Sequence, residues 1–444
     1  MAMRKKIIKI LQNDNALTLS TQVMSAGLGL IAFIILARWM ERSAFGLWLL
    51  YLTAFNFMEM LRAGMLHQSI VRNISVIEDE KNKKQMIGSS WAIALLFSLV
   101  LCFLLAAVAF FAPGLGKQSG LELFFMGYPL VIWFTLPLSM AQWIKHAEQD
   151  FMKMGVITVM GSLIFLGTLL VCIAYLEAIS ELLVFSLHTL SRLMTSLFVM
   201  LYNWSRLRYL RFFRRDMMIQ QFHFGKFSMI TLIGTNLLKS ADVFIIGYFL
   251  GPVMVAVYSL PLKLIETAEM PLRALTTTAF PKLSKLYAAA QYEQLVKFFG
   301  NQVFVLSAFL LIPLVLGQLL AEPIIRILGG EEYLDGVWVL RIFMFFIFFL
   351  PIDRLSGILL DSIGKPQINT LKVGIMVLVN ILGDLVAVLV FESLWMVALV
   401  TILNVLFGIM IAMLTLQKTL PLKVSTFFPT NPYQQFKQAL QGVF

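Results

Sequence analysis

Residues 87–111 read IGSSWAIALLFSLVLCFLLAAVAFF, without one charged side chain. A stretch this long crosses the roughly 30 Å of bilayer hydrocarbon as a helix. Similar runs recur along the whole chain of 444 residues. Apolar residues make up 59% of it and charged residues only 13%, and the mean hydropathy is +0.85. The runs are continuously apolar and do not alternate, which excludes a closed β-barrel. The expected fold is therefore an all-α polytopic membrane protein.

Length and flanking charge mark about twelve spans, at 17–37, 44–68, 87–111, 123–144, 155–176, 182–202, 227–250, 253–276, 299–321, 337–361, 371–391 and 393–416. The net charge of +11 invites a nucleic-acid reading, but the basic residues cluster in short segments between spans. Those segments include RNISVIEDEKNKK, IKHAEQDFMK, PKLSKLYAAAQYEQLVK and GKPQINTLK, and the intervening loops are poor in Lys and Arg. The positive-inside rule then puts both termini in the cytoplasm. The basic start, MAMRKKIIKILQNDN, lacks the small-residue cleavage site of a secretory signal and reads as an amphipathic interfacial segment over 1–16. The run RLRYLRFFRR, Arg206–Arg215, lies near the middle of the chain. Such a run could recognise acidic lipid or nucleic acid, and is read first as the segment that fixes topology.

Shifted by 210 residues, IILARWMERSAFGLWLL lies over FIIGYFLGPVMVAVYSL, and Glu59 falls on Glu269. FMEMLRAG becomes EMPLRA, so that one inserted residue, Pro271, brings Arg62 onto Arg273. Six spans per half make this a parallel repeat. The expected organisation is an N-lobe over 17–202, a basic linker over 203–226, a C-lobe over 227–416 and a cytoplasmic tail over 417–444, with a central cavity between the lobes.

A charge at the bilayer centre costs at least about 2.5–3.5 kcal/mol, so charges within spans must face one another or water. Lys263, Glu266, Glu269 and Arg273 fall on one stripe of the eighth span. Glu59 and Arg62 lie one turn apart, as do Lys239 and Asp242. Arg192, Arg341, Asp353, Arg354, Asp361 and Asp384 also fall in spans. Two readings stay open for each: an ion pair that locks helices together, or a lining of a hydrated cavity. For the set the cavity is favoured. Arg62 and Arg273 would then be the main cations for an anionic substrate, with Lys239 and Lys263 as helpers. Glu59, Glu269, Glu266 and Asp242 would balance charge or couple to an ion. Prolines 129, 137, 261, 271, 313 and 351 within spans supply kinks or hinges.

The sequence holds no GxxxxGK[ST] phosphate loop and no His/Cys cluster with metal spacing. Cys102 and Cys172 both fall in spans and read as small apolar fillers. No cofactor, metal or catalytic residue is expected, and a carrier fits better than a membrane enzyme.

The residues SADVFIIGYFLGPVMVAVYSLPLKL and TTTAFPKLSKL, with Gly46 after span one, resemble the bacterial polysaccharide-export flippases of the multidrug/oligosaccharidyl-lipid/polysaccharide superfamily. The matching positions are Gly46, Asp242, Ala256 with Tyr258 and Ser259, and Phe280 with Pro281. The resemblance implies two lobes around a cavity that opens alternately to each side of the inner membrane. It implies a lipid-linked oligosaccharide as cargo, of the undecaprenyl diphosphate type, for O-antigen, capsule or exopolysaccharide synthesis. Membrane lipids and polysaccharide polymerase machinery are the implied partners, and nucleic acid is not among them. The chain departs from the lipid II flippase branch, which has fourteen spans and extra arginines in its first helix. Ala256 stands where a glycine is usual, and span one lacks the acid favoured by drug exporters. A drug/cation antiporter is the runner-up, and a membrane glycan polymerase or ligase the third reading.

Overall fold

A computed structural model describes residues 14–422 apart from 75, 76, 112, 113, 115, 117, 118 and 278. Side chains at 14–19, 224, 227, 228, 230, 231, 235, 270, 271 and 273–277 lie outside the description, as do most of the expected terminal segment and tail. The chain is an all-α polytopic membrane protein. Its long helices are α1 (Asp14–Trp39), α2 (Arg42–Ile74), α3 (Glu80–Phe111), α4 (Glu122–Ala147), α5 (Phe151–Tyr175), α6 (Glu181–Leu201), α7 (Arg215–Phe249) and α8 (Pro252–Thr277). A short α9 (Ala279–Ala288) follows, then α10 (Tyr292–Leu328), α11 (Val337–Ser362), α12 (Pro366–Leu389) and α13 (Leu394–Gln417). A helix stands at each expected span. Among the described residues eleven segments are long and apolar enough to cross a membrane, and the charged α8 is not among them.

Without water in hydrocarbon, a helix is how a single segment satisfies its own backbone, and the ends follow local chemistry. Asp150 Oδ1 caps α5 by accepting from the Lys153 amide at 3.2 Å, and Ser180 Oγ caps α6 by accepting from Leu183 at 3.2 Å. Gly364, at φ +77°, makes the turn between α11 and α12, with Pro366 in the first turn of α12. α10 breaks helical geometry at Leu320, φ −107°, ψ 15°, three residues before Pro323.

Several helices run beyond the expected spans. α2 continues past 68 to Ile74, α3 starts at Glu80 rather than at 87, α10 covers Tyr292–Leu328 rather than 299–321, and α7 starts at Arg215 rather than at 227. The first turns of α7 need no bilayer, because Met217 and Met218 pack on the core formed by Met65, Ile87, Trp91 and Trp143. Gln221 is fully buried there and donates to the Met86 carbonyl at 3.2 Å.

The chain forms two compact units, Met1–Ala256 and Val257–Phe444, so α7 is described with the first. Within that unit α2 and α7 touch backbone to backbone. A Cβ built on Gly225 would stand 2.0 Å from the Met65 carbonyl oxygen, and one on Gly64 would stand 2.8 Å from the Met229 Cα. Small residues let membrane helices approach this closely. In the second unit α11 packs against α10 and α13, and α12 against α13.

On the basic side of the first unit, Glu148 at the end of α4 binds Lys145 at 2.7 Å, Lys83 at 3.4 Å and Arg206. Burial pushes the Glu148 carboxyl up. The Lys145 hydrogen bond and the charges of Arg206, Lys145 and Lys83 outweigh burial and hold it below the ordinary carboxylate range.

Gly225→Ala is expected to cost about 1–3 kcal/mol by overpacking, read as a lower thermal midpoint of the purified protein. Gly234→Ala, with nothing within 4 Å of the new Cβ, is the neutral control. Because the Glu148 pKa is depressed in the fold, its stabilisation is complete above the ordinary carboxylate value and is lost as pH falls through the folded value. Glu148→Gln is expected to lower the midpoint at neutral pH and to flatten this acid limb, checked by thermal unfolding across pH 3–7.

Candidate functional site

The charges of the first unit converge where α2 faces α4. Arg62 is fully buried, at 0% exposure. Its Nη2 donates to Glu59 Oε2, to Ser139 Oγ at 2.8 Å and to Thr135 Oγ1 at 3.1 Å, and its Nη1 donates to the Ile132 carbonyl at 3.2 Å. Glu59 also accepts from the Tyr128 hydroxyl at 3.2 Å. The sequence supplies this by placing Glu59 and Arg62 one turn apart on α2, and Tyr128, Thr135 and Ser139 along one side of α4. Here Arg62 offers no open edge to a substrate. Its Nη1 and Nη2 are engaged within its own unit, and its buried Nε has no hydrogen-bond partner among the described residues.

Next to this network lies a second one, of which sequence reading singled out Arg192 as a charge within a span but not His188. His188 is 6% exposed and stands edge-on to Phe55 at 5.0 Å, Trp48 at 5.5 Å and Tyr51 at 6.0 Å between ring centroids. Arg192, one turn on, donates from Nε to His188 Nε2 at 3.3 Å, and its guanidinium lies 5.7 Å from the Phe55 ring centre. A donor at Nε2 requires that nitrogen to be the acceptor, which makes the imidazole neutral. The sequence signal was the His188/Arg192 spacing inside an apolar span.

α7 brings a buried Asp242, at 6% exposure, and an exposed Lys239. In the second unit the α8 stripe does not act as one group. Lys263 and Glu266 pair with each other at 3.0 Å, with side-chain exposures of 35% and 52%. Glu269 is buried and accepts from Arg354 of α11 at 2.6 Å. Arg273 lies in α8, and its side chain is outside the described residues. The repeat places Glu59 and Glu269 alike in sequence; Glu59 pairs with Arg62 of its own helix, and Glu269 pairs with Arg354 of α11.

Deeper in the same unit Lys372 binds Asp353 at 2.7 Å. Asp384, fully buried on α12, accepts from Asn380 Nδ2 at 2.6 Å, and Asn404 of α13 donates to Asn380 Oδ1 at 3.1 Å. The sequence flagged Asp384 but not the two carboxamides, since neither carries charge. Among the described residues no group of three His, Cys, Asp or Glu side chains could hold a metal ion. The arrangement suits holding and compensating charge inside a membrane.

Comparison with known proteins agrees with this chemistry. A family model described as polysaccharide biosynthesis protein matches residues 11–287, more than half of the chain, and a MatE model matches 228–386. The chain is 24% identical over 353 residues to a protein of Shigella flexneri named for O-antigen transport, covering 76% of this chain and 81% of that one. Its fold is similar to that of an inward-facing multidrug resistance MATE family transporter of the MOP superfamily, with TM-score 0.74 at 15% identity over 92% of this chain and 100% of that one. It is also similar to the lipid II flippase MurJ in an inward closed conformation, with TM-score 0.71 at 14% identity over 96% of each chain. The chain belongs to the polysaccharide biosynthesis protein family.

If Glu59–Arg62 is a satisfied buried pair, removing one partner strands the other. Arg62→Gln is expected to cost roughly 3–5 kcal/mol, and Glu59→Gln with Arg62→Gln to recover most of it, measured as a double-mutant cycle on thermal or denaturant unfolding.

Proposed function

We propose that this member of the polysaccharide biosynthesis protein family is a flippase for a lipid-diphosphate-linked oligosaccharide. It moves the cargo across the cytoplasmic membrane by alternating access, with both termini in the cytoplasm. The observation that carries the proposal is buried charge on repeat-related helices, Glu59 with Arg62 on α2 and Glu269 on α8, inside a many-helix transporter fold. The names of the O-antigen and lipid II relatives support the cargo class.

A sugar diphosphate headgroup cannot cross hydrocarbon, because its polar groups would lose their hydrogen bonds. In this reading lobes over 17–202 and 227–416 enclose the headgroup, while an undecaprenyl-type tail stays in the bilayer. The exposed Lys239 and half-exposed Lys263, with Arg273, supply the cations. Arg62 enters the grip only where phosphate displaces Glu59, and otherwise it positions Glu59 against α4. Glu59, Glu266, Glu269 and Asp242 balance the charge. Asp384, buried with two carboxamides, joins them as a group able to carry a coupling proton or cation. Polysaccharide polymerase machinery would take the product at the outer leaflet.

The MatE match over 228–386 favours one second reading, a drug/cation antiporter. The two separate cleanly. In cells lacking the protein, mass spectrometry of lipid extracts is expected to show a lipid-diphosphate oligosaccharide that wild type clears. Arg273→Ala, and Lys239→Ala with Lys263→Ala, are expected to slow clearance by about tenfold or more at matched expression, the loss of one charge-assisted hydrogen bond. An unchanged lipid profile with loss of resistance to cationic dyes would establish the antiporter instead.

A further inference from the structure

The basic run between the sixth and seventh spans is an ordered element rather than a tether. Residues Leu207–Phe212 form a 3₁₀ helix. Side chains three apart eclipse in that geometry. Leu207 stacks with Leu210, Tyr209 with Phe212, and Arg208 with Arg211. The first of these rows and Tyr209 pack on the core around Ile87 and Trp91. The row of Arg208 and Arg211 is exposed, and Arg214 and Arg215, where extended backbone leads from the 3₁₀ helix into α7, are exposed as well.

The docking is specific. Trp91 Nε1 donates to the Ser205 carbonyl at 2.9 Å, and the Arg214 amide donates to Ser89 Oγ at 3.1 Å. Ser90 Oγ donates to Gln221 Oε1 at 2.7 Å. A Cβ on Gly88 would stand 2.3 Å from the Tyr209 carbonyl oxygen, so only glycine lets the element lie this close to α3. A segment that served only to set topology would need its charge and none of this fit.

Two of the arginines are neutralised in place. Arg206 pairs with Glu148, and Arg214 with Asp216 at 3.2 Å. Arg208, Arg211 and Arg215 have no carboxylate partner among the described residues. Three uncompensated guanidinium groups on a fixed surface suit phosphate oxygens, which they bind in a bidentate manner.

The surroundings identify the source of that phosphate. Just before the element, Tyr202 is exposed and Trp204 lies under the Lys153 ammonium at 5.8 Å. Such residues mark the headgroup level of a bilayer. Just after it, Phe213, Ile219 and Phe222 are exposed. Cations edged by exposed apolar side chains match a phospholipid, whose phosphate and acyl chains lie side by side. They do not match a soluble anion or a nucleic acid.

We infer that the Arg208, Arg211 and Arg215 surface, held on α3 by the 3₁₀ helix, is a binding site for anionic phospholipid headgroups of the leaflet on the basic side. The inference does not depend on the identity of the cargo.

Native mass spectrometry of the purified full chain, equilibrated with mixed phosphatidylglycerol and phosphatidylcholine, tests it. Wild type is expected to retain phosphatidylglycerol preferentially. R208Q/R211Q/R215Q is expected to lose that preference by about tenfold or more. R208K/R211K/R215K, which keeps the charge, is expected to keep much of it. K282Q/K285Q/K297Q removes equal charge from exposed positions in another basic segment and is expected to leave the preference intact. If the glutamine triple variant fails to fold, single R211Q and the salt dependence of wild-type lipid retention carry the test. Full retention by a folded glutamine variant, or equal loss in the Lys282 control, would overturn the site. So would displacement of the lipid by a short oligonucleotide, or wild-type retention that salt does not weaken.

Discussion

A guanidinium withdrawn from both water and phosphate must find its bonds inside the protein, and Arg62 shows how much structure that demands. One side chain draws on an acid on its own helix and on two hydroxyls and a carbonyl of α4. The hydroxyls lie one turn apart on α4, so the rotation of that helix about its axis is set by the bonds it makes. Glu59 is in turn held by Tyr128 and by Arg62. Replacing such a network with apolar residues would often be no less stable, so its presence argues for specificity of arrangement more than for stability.

The same constraint explains what sequence makes legible. Segment length and the need for internally satisfied backbone define the helices one by one, and a helix stands at each expected span because that reading uses no information about neighbours. The eighth helix shows what length and flanking charge add to hydropathy. Its charges disqualify it by hydropathy among the described residues, yet the span expected at 253–276 falls on α8. Partners are a different matter. Nothing in EMLRAG names Ser139, and nothing in EMPLRA names Arg354, because these contacts depend on how helices from distant parts of the chain are turned. His188 and Arg192 were readable as a spacing on one helix, but their aromatic surround comes mainly from α2. Uncharged carboxamides such as Asn380 and Asn404 leave no mark in a search for charge.

Glycine was equally silent. Gly64 looks like an ordinary small residue of an apolar span and Gly225 like part of the basic linker, and their meaning appears only where α2 and α7 meet. The contact belongs to dispersion and close approach rather than to hydrophobicity, since lipid is as apolar as any side chain. Gly88 does the same work at the edge of the membrane, where it admits the backbone of a basic element that sequence alone presents as a charged loop.

The two copies of the repeated phrase have come to different physical ends. Glu59 and Arg62 lie three residues apart on one helix, so their bond is indifferent to movements of that helix as a body. Pro271 lengthens the second copy by one residue, and Glu269 binds Arg354 on α11. That bond spans two helices and measures their separation. Any rearrangement that parts α8 from α11 must break it or supply another anion to Arg354 and another cation to Glu269. An anion that reached Arg354 and a cation that reached Glu269 would therefore exchange one inter-helix bond for two others. The Glu59–Arg62 bond itself lies within α2, while the bonds of Arg62 to Ile132, Thr135 and Ser139 fix that helix against α4.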